Sequence, residues 1–98
     1  MVYKIIVSPR AQKEIENAIE YYSLNSEDAP QNFIYELKEA YATLSAIPFF
    51  RVRYKNIRAI SLHKFPHSLY FVINEDTNTV RILSCFHNKR NPIKRPRI

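Results

Sequence analysis

The 98-residue chain has no glycine, a single cysteine and no long apolar run. Phosphate-cradling loops, the dinucleotide fingerprint and the nucleophile elbow all need glycine where backbone turns sharply or approaches a ligand. Nucleotide-cofactor and serine-hydrolase chemistry are therefore disfavoured, and no cofactor is expected. With Cys85 alone, no intrachain disulfide and no multi-thiolate metal site can form, which fits a reducing cytosol. A membrane span needs about 20 apolar residues, and "MVYKIIVSPR" has neither the length of a signal h-region nor a small-residue cleavage site. A soluble, cytoplasmic protein with no membrane partner is expected. Acidic side chains are nearly missing from the second half. Residues 1–50 carry four basic against seven acidic side chains, and residues 51–98 carry eleven basic against Glu75 and Asp76 alone. The halves are thus −3 and +9, and such a lopsided field favours an anionic partner: nucleic acid, ribosome or an acidic protein segment.

What is present describes one folded domain over residues 1–98: 46% of residues are hydrophobic, with seven Tyr and six Phe. Turns must be made by Asn, Asp, Ser and Pro, which cluster at "SLNSEDAP", "NEDTN" and "HNKRNP". Residues 2–7 alternate and are β-branched, so they read as a strand. Ser8-Pro9 is an N-cap with proline at the first helical position. Ala11, Ile15, Ala18, Ile19 and Tyr22 then recur at helical spacing. A second helix is expected to start at a Ser26 cap, with Glu27 and Asp28 in its first turn. Its apolar stripe would be Phe33, Leu37, Ala40, Tyr41, Leu44 and Ile47, and Pro48 would stop it. Residues 57–63, 67–74 and 79–87 read as strands, the last two forming a hairpin through "NEDTN". The result is an α+β fold of order β-α-α-β-β-β, a helical hairpin on one face of a largely antiparallel twisted sheet with the first strand paired to a later one. Residues 91–98, with Pro92 and Pro96, read as a basic C-terminal tail.

The exposed sheet face and its C-terminal edge are the expected working surface. Arg51, Arg53, Lys55 and Arg58 enter the sheet, Lys64 sits at a turn, Arg81 lies in the last strand, and Lys89, Arg90, Lys94, Arg95 and Arg97 follow it. Phe49, Phe50, Tyr54, Phe65 and Tyr70 are interleaved with them, and rings for stacking beside cations for phosphates suit single-stranded nucleic acid. Phe71 and Phe86 read as core, whereas Tyr54 and Tyr70 fit core or surface equally. Target contacts are expected from Arg51, Arg53, Lys55, Lys64, Tyr70, Lys89, Arg90, Lys94, Arg95 and Arg97. No metal is expected, because Lys64 and Pro66 lie between His63 and His67, which therefore form neither a helical i, i+4 pair nor a strand's same-face pair. Metal-free RNA cleavage needs a base, an acid and cations around one phosphate, and His87 with Arg58, Arg81 and Arg90 could supply them. A lone histidine beside arginine is more often an ordinary surface or capping residue. Cys85 reads as a buried hydrophobe.

With "YKIIVSPRAQKEIENAIEYY", "NFIYELKEAYATLSAIP" and "FPHSLYFVINEDTNTVRILSCFHNKRNP" in this order, the chain resembles the RelE/ParE superfamily of bacterial toxins from type II toxin–antitoxin modules. The resemblance spans essentially the whole chain and rests on the Ser-Pro-x-Ala helix start, the Tyr-Tyr near the helix end, the Leu-Tyr-Phe-Val-Ile strand and the terminal His-x-x-Arg. It implies a toxin serving plasmid stabilisation or stress response, held in check by a cognate acidic antitoxin. RelE-like members cleave mRNA on the ribosome, with an arginine at the start of the strand matching "SLYFVI" and often a tyrosine near the C-terminus. Here Ser68 begins that strand and no tyrosine follows Phe86. ParE-like members poison DNA gyrase by binding, and the helical hairpin with Tyr21-Tyr22 and the His87-x-x-Arg90 ending resemble them more. A small basic nucleic-acid-binding module is the alternative outside toxins.

Overall fold

The structure, a computed structural model, describes residues 2–89. Strand β1 (Lys4–Val7) is followed by helices α1 (Pro9–Ser23) and α2 (Ala29–Ala46), then by strands β2 (Val52–Tyr54), β3 (Ile57–Ser61), β4 (His67–Asn74) and β5 (Thr79–His87). The five strands form one sheet in the order β1-β5-β4-β3-β2. Only the β1–β5 pair is parallel. This is the expected α+β arrangement with one strand more.

The extra strand is β2. Its three residues are all exposed, and although Val52 and Tyr54 alternate with arginines, "RVRYKN" is too short and too charged to stand out as a strand. It exists because Lys55 and Asn56 turn the chain back onto β3, Lys55 adopting φ 52°. In a chain without glycine, the left-handed conformations fall to Lys55, Lys64 (φ 69°) and Asn78 (φ 50°) among the described residues. Two strands are shorter than the patterning implied: β1 begins at Lys4 rather than residue 2, and β3 ends at Ser61 rather than residue 63.

Helix α1 starts as its sequence dictates, the Ser8 hydroxyl accepting from Ala11 N–H at 3.2 Å with Pro9 in the first turn. Helix α2 departs from expectation. Asp28 is its N-cap residue and makes no side-chain cap, while the Ser26 hydroxyl accepts from Asp28 N–H at 3.3 Å in a local turn. Ser26 therefore lies two residues too early, since Pro30 within the first turn fixes the helix start at Ala29. Glu27 and Asp28 precede the first turn instead of occupying it. Phe33, Leu37, Ala40 and Leu44 are buried as the stripe required, whereas Ile47 is 67% exposed. At Ile47 the backbone leaves the helix (φ −142°, ψ 89°) ahead of Pro48, so the stripe's last position turns outward.

Helix stripe and sheet face meet in one core: Ala11, Ile15, Phe33, Leu37 and Leu44 against Leu69, Phe71, Val80, Ile82 and Cys85. Burying a ring such as Phe33 contributes about 2–3 kcal/mol. A β-bulge interrupts β5. Tyr70 pairs with Ser84 but Phe71 pairs with Ile82, leaving Leu83 as the additional residue. The bulge is held from α1, because Ser8 donates its hydroxyl to Leu83 O at 3.1 Å and its N–H to Ile82 O at 2.9 Å.

Candidate functional site

The end of β5 is where the sequence places His87, and the structure builds an open cleft of about 210 Å³ there, between α1 and the last residues of the strand. Glu14, Asn17 and Tyr21 of α1 line one side, and His67, Cys85 and His87 the other. Glu14 holds the two sides together. Its Oε1 accepts from Ser84 Oγ at 2.7 Å and from Cys85 N–H at 3.1 Å, and its Oε2 lies 3.6 Å from Arg10 Nε. Because β1 stops opposite Ile82, this stretch of β5 has no strand on its outer side, and Glu14 supplies the acceptor a strand would have given.

His87 is half-buried and sits directly across the ladder from His67, their rings 5.0 Å apart and nearly perpendicular. His87 Nδ1 accepts from Lys89 N–H at 3.2 Å, which leaves the proton of a neutral ring on Nε2. His67 is buried among Phe33, Phe65 and Tyr22, and its Nε2 is 3.1 Å from the Tyr22 hydroxyl. Tyr22, His67 and His87 thus form a polar line running from under the helices to the strand end. Sequence patterning could have found it: His67 shares strand parity with Leu69 and Phe71, so it had to face the core.

The candidate catalytic cations do not gather around His87. Arg58 pairs across from Phe71 on β3, hence on the helix side of the sheet, two strands and four rungs away. There its Nη1 donates to Phe50 O at 2.6 Å, and its guanidinium lies 5.7 Å from the Phe49 ring centre. Arg81 is exposed on the opposite face, six residues or roughly 20 Å of strand from His87. Arg90, Lys94, Arg95 and Arg97, with the tail 91–98, lie outside the described residues.

The candidate target-binding residues divide into groups. Arg51, Arg53 and Lys55 are exposed around β2, with Lys55 Nζ 5.4 Å over the Tyr54 ring; Lys64 is exposed in the β3–β4 turn, and Lys89 follows β5. Tyr70 is half-buried against Phe86, rings 6.3 Å apart, on the face away from the helices. That face is less open than expected, since Ile57, Ala59, Ser68 and Phe86 on it are buried. Cys85 is buried, and burial, aided by the Glu14 carboxylate, pushes its thiol up to about 12. Burial first, and Cys85 second, push the Tyr41 hydroxyl up to about 12. A thiol that stays protonated at neutral pH packs as an apolar group.

Comparison with known proteins bears on what this arrangement serves. A family model described as the ParE toxin of the type II toxin-antitoxin system parDE matches residues 5–92. No curated protein matches the chain in sequence. Among solved structures, a chain from the chromosomal ParDE toxin–antitoxin system of P. aeruginosa superposes with a TM-score of 0.69 at 13% identity, covering 88% of this chain and 96% of that one. A chain of the toxin–antitoxin complex RelBE2 from Mycobacterium tuberculosis gives 0.64 at 15% identity, over 89% and 99%. A mutant of the E. coli toxin RelE in the free state gives 0.65 at 14% identity, over 95% and 90%. At these identities the structural likenesses establish the fold.

Proposed function

The chain belongs to the ParE toxin family of type II toxin–antitoxin systems, and we propose that it arrests growth by binding DNA gyrase rather than by cutting RNA. The observation that carries this reading is the dispersal of the candidate catalytic set. Cleavage through the 2′-hydroxyl needs proton-transfer groups and cations converging on one phosphate. Arg58 is committed to Phe50 O and the Phe49 ring on the helix side, and Arg81 points from the far face. A binding inhibitor has no such requirement. It needs a surface, and Arg51, Arg53, Lys55 and Tyr54 present one around β2, with Lys64, Tyr70 and Lys89 as further contacts.

Like the ParDE and RelBE2 chains, which come from toxin–antitoxin systems, this toxin takes an antitoxin as partner. The +9 half calls for an acidic one. Residues 91–98 extend the single domain as a basic segment that adds Lys94, Arg95 and Arg97 to target engagement. The reading as a ribosome-dependent mRNA endonuclease is favoured by one observation, the His87–His67 pair backed by the Tyr22 hydroxyl. Inducing wild type, His87→Ala and a truncation after Asn91 separates the two when gyrase-dependent DNA breaks and mRNA cleavage are scored in parallel. Breaks without mRNA cuts, kept in His87→Ala and lost on truncation, are expected. Cuts that fall by about 10² to 10⁴ with His87→Ala would replace gyrase by mRNA as the target.

A further inference from the structure

A second, smaller cleft of about 140 Å³ lies between α2 and β3, on the other side of the helical hairpin from His87. Glu36 and Glu39 of α2 line it, together with Ser61 and His63. Glu36 is the anomaly. It occupies the stripe position beside Leu37, its side chain is 10% exposed, and among the described residues it accepts no hydrogen bond. Its one charged neighbour is the imidazole of His63, Nδ1 3.9 Å from Oε2, on a side chain that is itself 78% exposed. No described lysine or arginine lies within 4 Å of Glu36 or Glu39, although the chain carries a net charge of +6. Its oxygens open into the cleft with acceptor capacity that the exposed imidazole alone does not fill, and a cation with well-placed donors matches that capacity.

The backbone beside the cleft points to the form in which the cation arrives. Leu62 N–H bonds to His67 O on β4, so by strand alternation the N–H and C=O of Ser61 face away from β4. The β2 ladder reaches only Arg58, and Ser61 therefore turns its main-chain groups outward past the end of β2, next to Glu36. An extended segment laid along that stretch would pair with Ser61 and hold one side chain over the two carboxylates.

We propose that this cleft receives a guanidinium from an extended segment of a partner polypeptide, which on the toxin reading above is the antitoxin. Glu36 takes the planar fork in a bidentate pair, Glu39 adds charge at the rim, and Ser61 supplies main-chain pairing. In a partner whose carboxylates answer the basic half, a single arginine at this acidic spot fixes the register of the chain. The site asks for a cation where the rest of the surface asks for anions, which makes it a specificity element rather than a general source of affinity.

The probe is the peptide acetyl-Val-Arg-Val-amide, with its citrulline counterpart as a control of equal shape and no charge. Titration into the isotope-labelled protein should shift the Ser61 amide and the Glu36 side-chain carboxyl resonances saturably, with a dissociation constant on the order of 1 mM. The citrulline peptide should bind at least about tenfold more weakly. Glu36→Gln, nearly isosteric, should lower affinity by a similar factor while keeping the wild-type amide spectrum elsewhere; Glu39→Gln, on an exposed position, should lower it about twofold. Equal binding of both peptides, an unsaturable response, or shifts produced by magnesium or zinc chloride but not by the arginine peptide would each overturn the proposal. Growth arrest on inducing the wild type reads the toxin assignment separately, so a failed titration beside clear arrest removes the cleft's role and leaves the toxin.

Discussion

At the β1 side of the sheet, residues distant in sequence bridge the two ends of the edge strand and the stretch of β5 beyond it, whereas the β2 side ends in three exposed residues among cations. Tyr3 N–H bonds to Ser45 O, Ser45 Oγ returns a bond to Tyr3 O, Ser8 holds Leu83, and Glu14 takes the Cys85 N–H beyond the end of β1. Val52, Arg53 and Tyr54 have no such cover. An uncovered edge invites pairing with other chains, and charge is one device that restricts which chains can pair. One edge is thus built for stability and the other for contact, and substitutions should affect them in opposite ways.

The largest effect should come from Glu14→Ala. It leaves the Ser84 hydroxyl and Cys85 N–H without their acceptor at the closed side, and urea unfolding should show a loss of about 2 kcal/mol. Arg53→Ser at the open side should stay within about 0.5 kcal/mol of wild type while weakening target engagement. Equal stability losses at the two positions would erase the distinction. Ser8→Ala comes next. It removes both a helix cap and the bond to Leu83 O, and about 1.5 kcal/mol should be lost in the same assay.

Alkaline pH should weaken the closed side by a smaller, graded amount. Burial and Glu14 push Cys85 from 9.0 to about 12, and burial and Cys85 push Tyr41 from 10.0 to about 12. The unfolded chain therefore releases these protons first. Stability is full below about pH 9 and falls as pH rises toward 12, because the folded state retains protons that the unfolded state has lost. Melting temperature followed across this window should decline, and Cys85→Ala should flatten the part that begins near pH 9. An undiminished decline in that variant would assign it elsewhere.

Local rules accounted for the α1 start, β4 and β5. Ser8-Pro9 caps as its residue types demand, and alternation located the buried Leu69, Phe71, Val80 and Ile82. What they missed depends on contacts between distant residues. Glu14 stands three residues after Ala11 and four before Ala18, at the rim of the apolar stripe, yet only the early end of β1 turns it into a surrogate strand. Arg58 shares parity with Ile60 and so faces the helix side, a placement that composition concealed by counting it with the surface cations. Glu36, among stripe residues, carried a readable signal of the same kind. The bulge at Leu83 shifts the phase of β5 and leaves no mark in its apolar run.

The smallest expected effect separates the two sides through backbone alone. Lys55, in the β2–β3 turn, has φ 52°, and Asn78, whose carbonyl accepts from Lys4 N–H at the β1 side, has φ 50°. The left-handed region crowds Cβ against the following carbonyl for lysine, while asparagine tolerates it better through local hydrogen bonding. Glycine relieves that crowding but gains freedom in the unfolded chain, so the two terms oppose each other. At Lys55 the relief wins narrowly, and Lys55→Gly should raise stability by about 0.5 kcal/mol. At Asn78 there is less crowding to relieve, and Asn78→Gly should leave stability unchanged or slightly lower. The two urea midpoints, measured against wild type, should therefore move apart; equal gains would show that the open turn carries no more strain than the closed one.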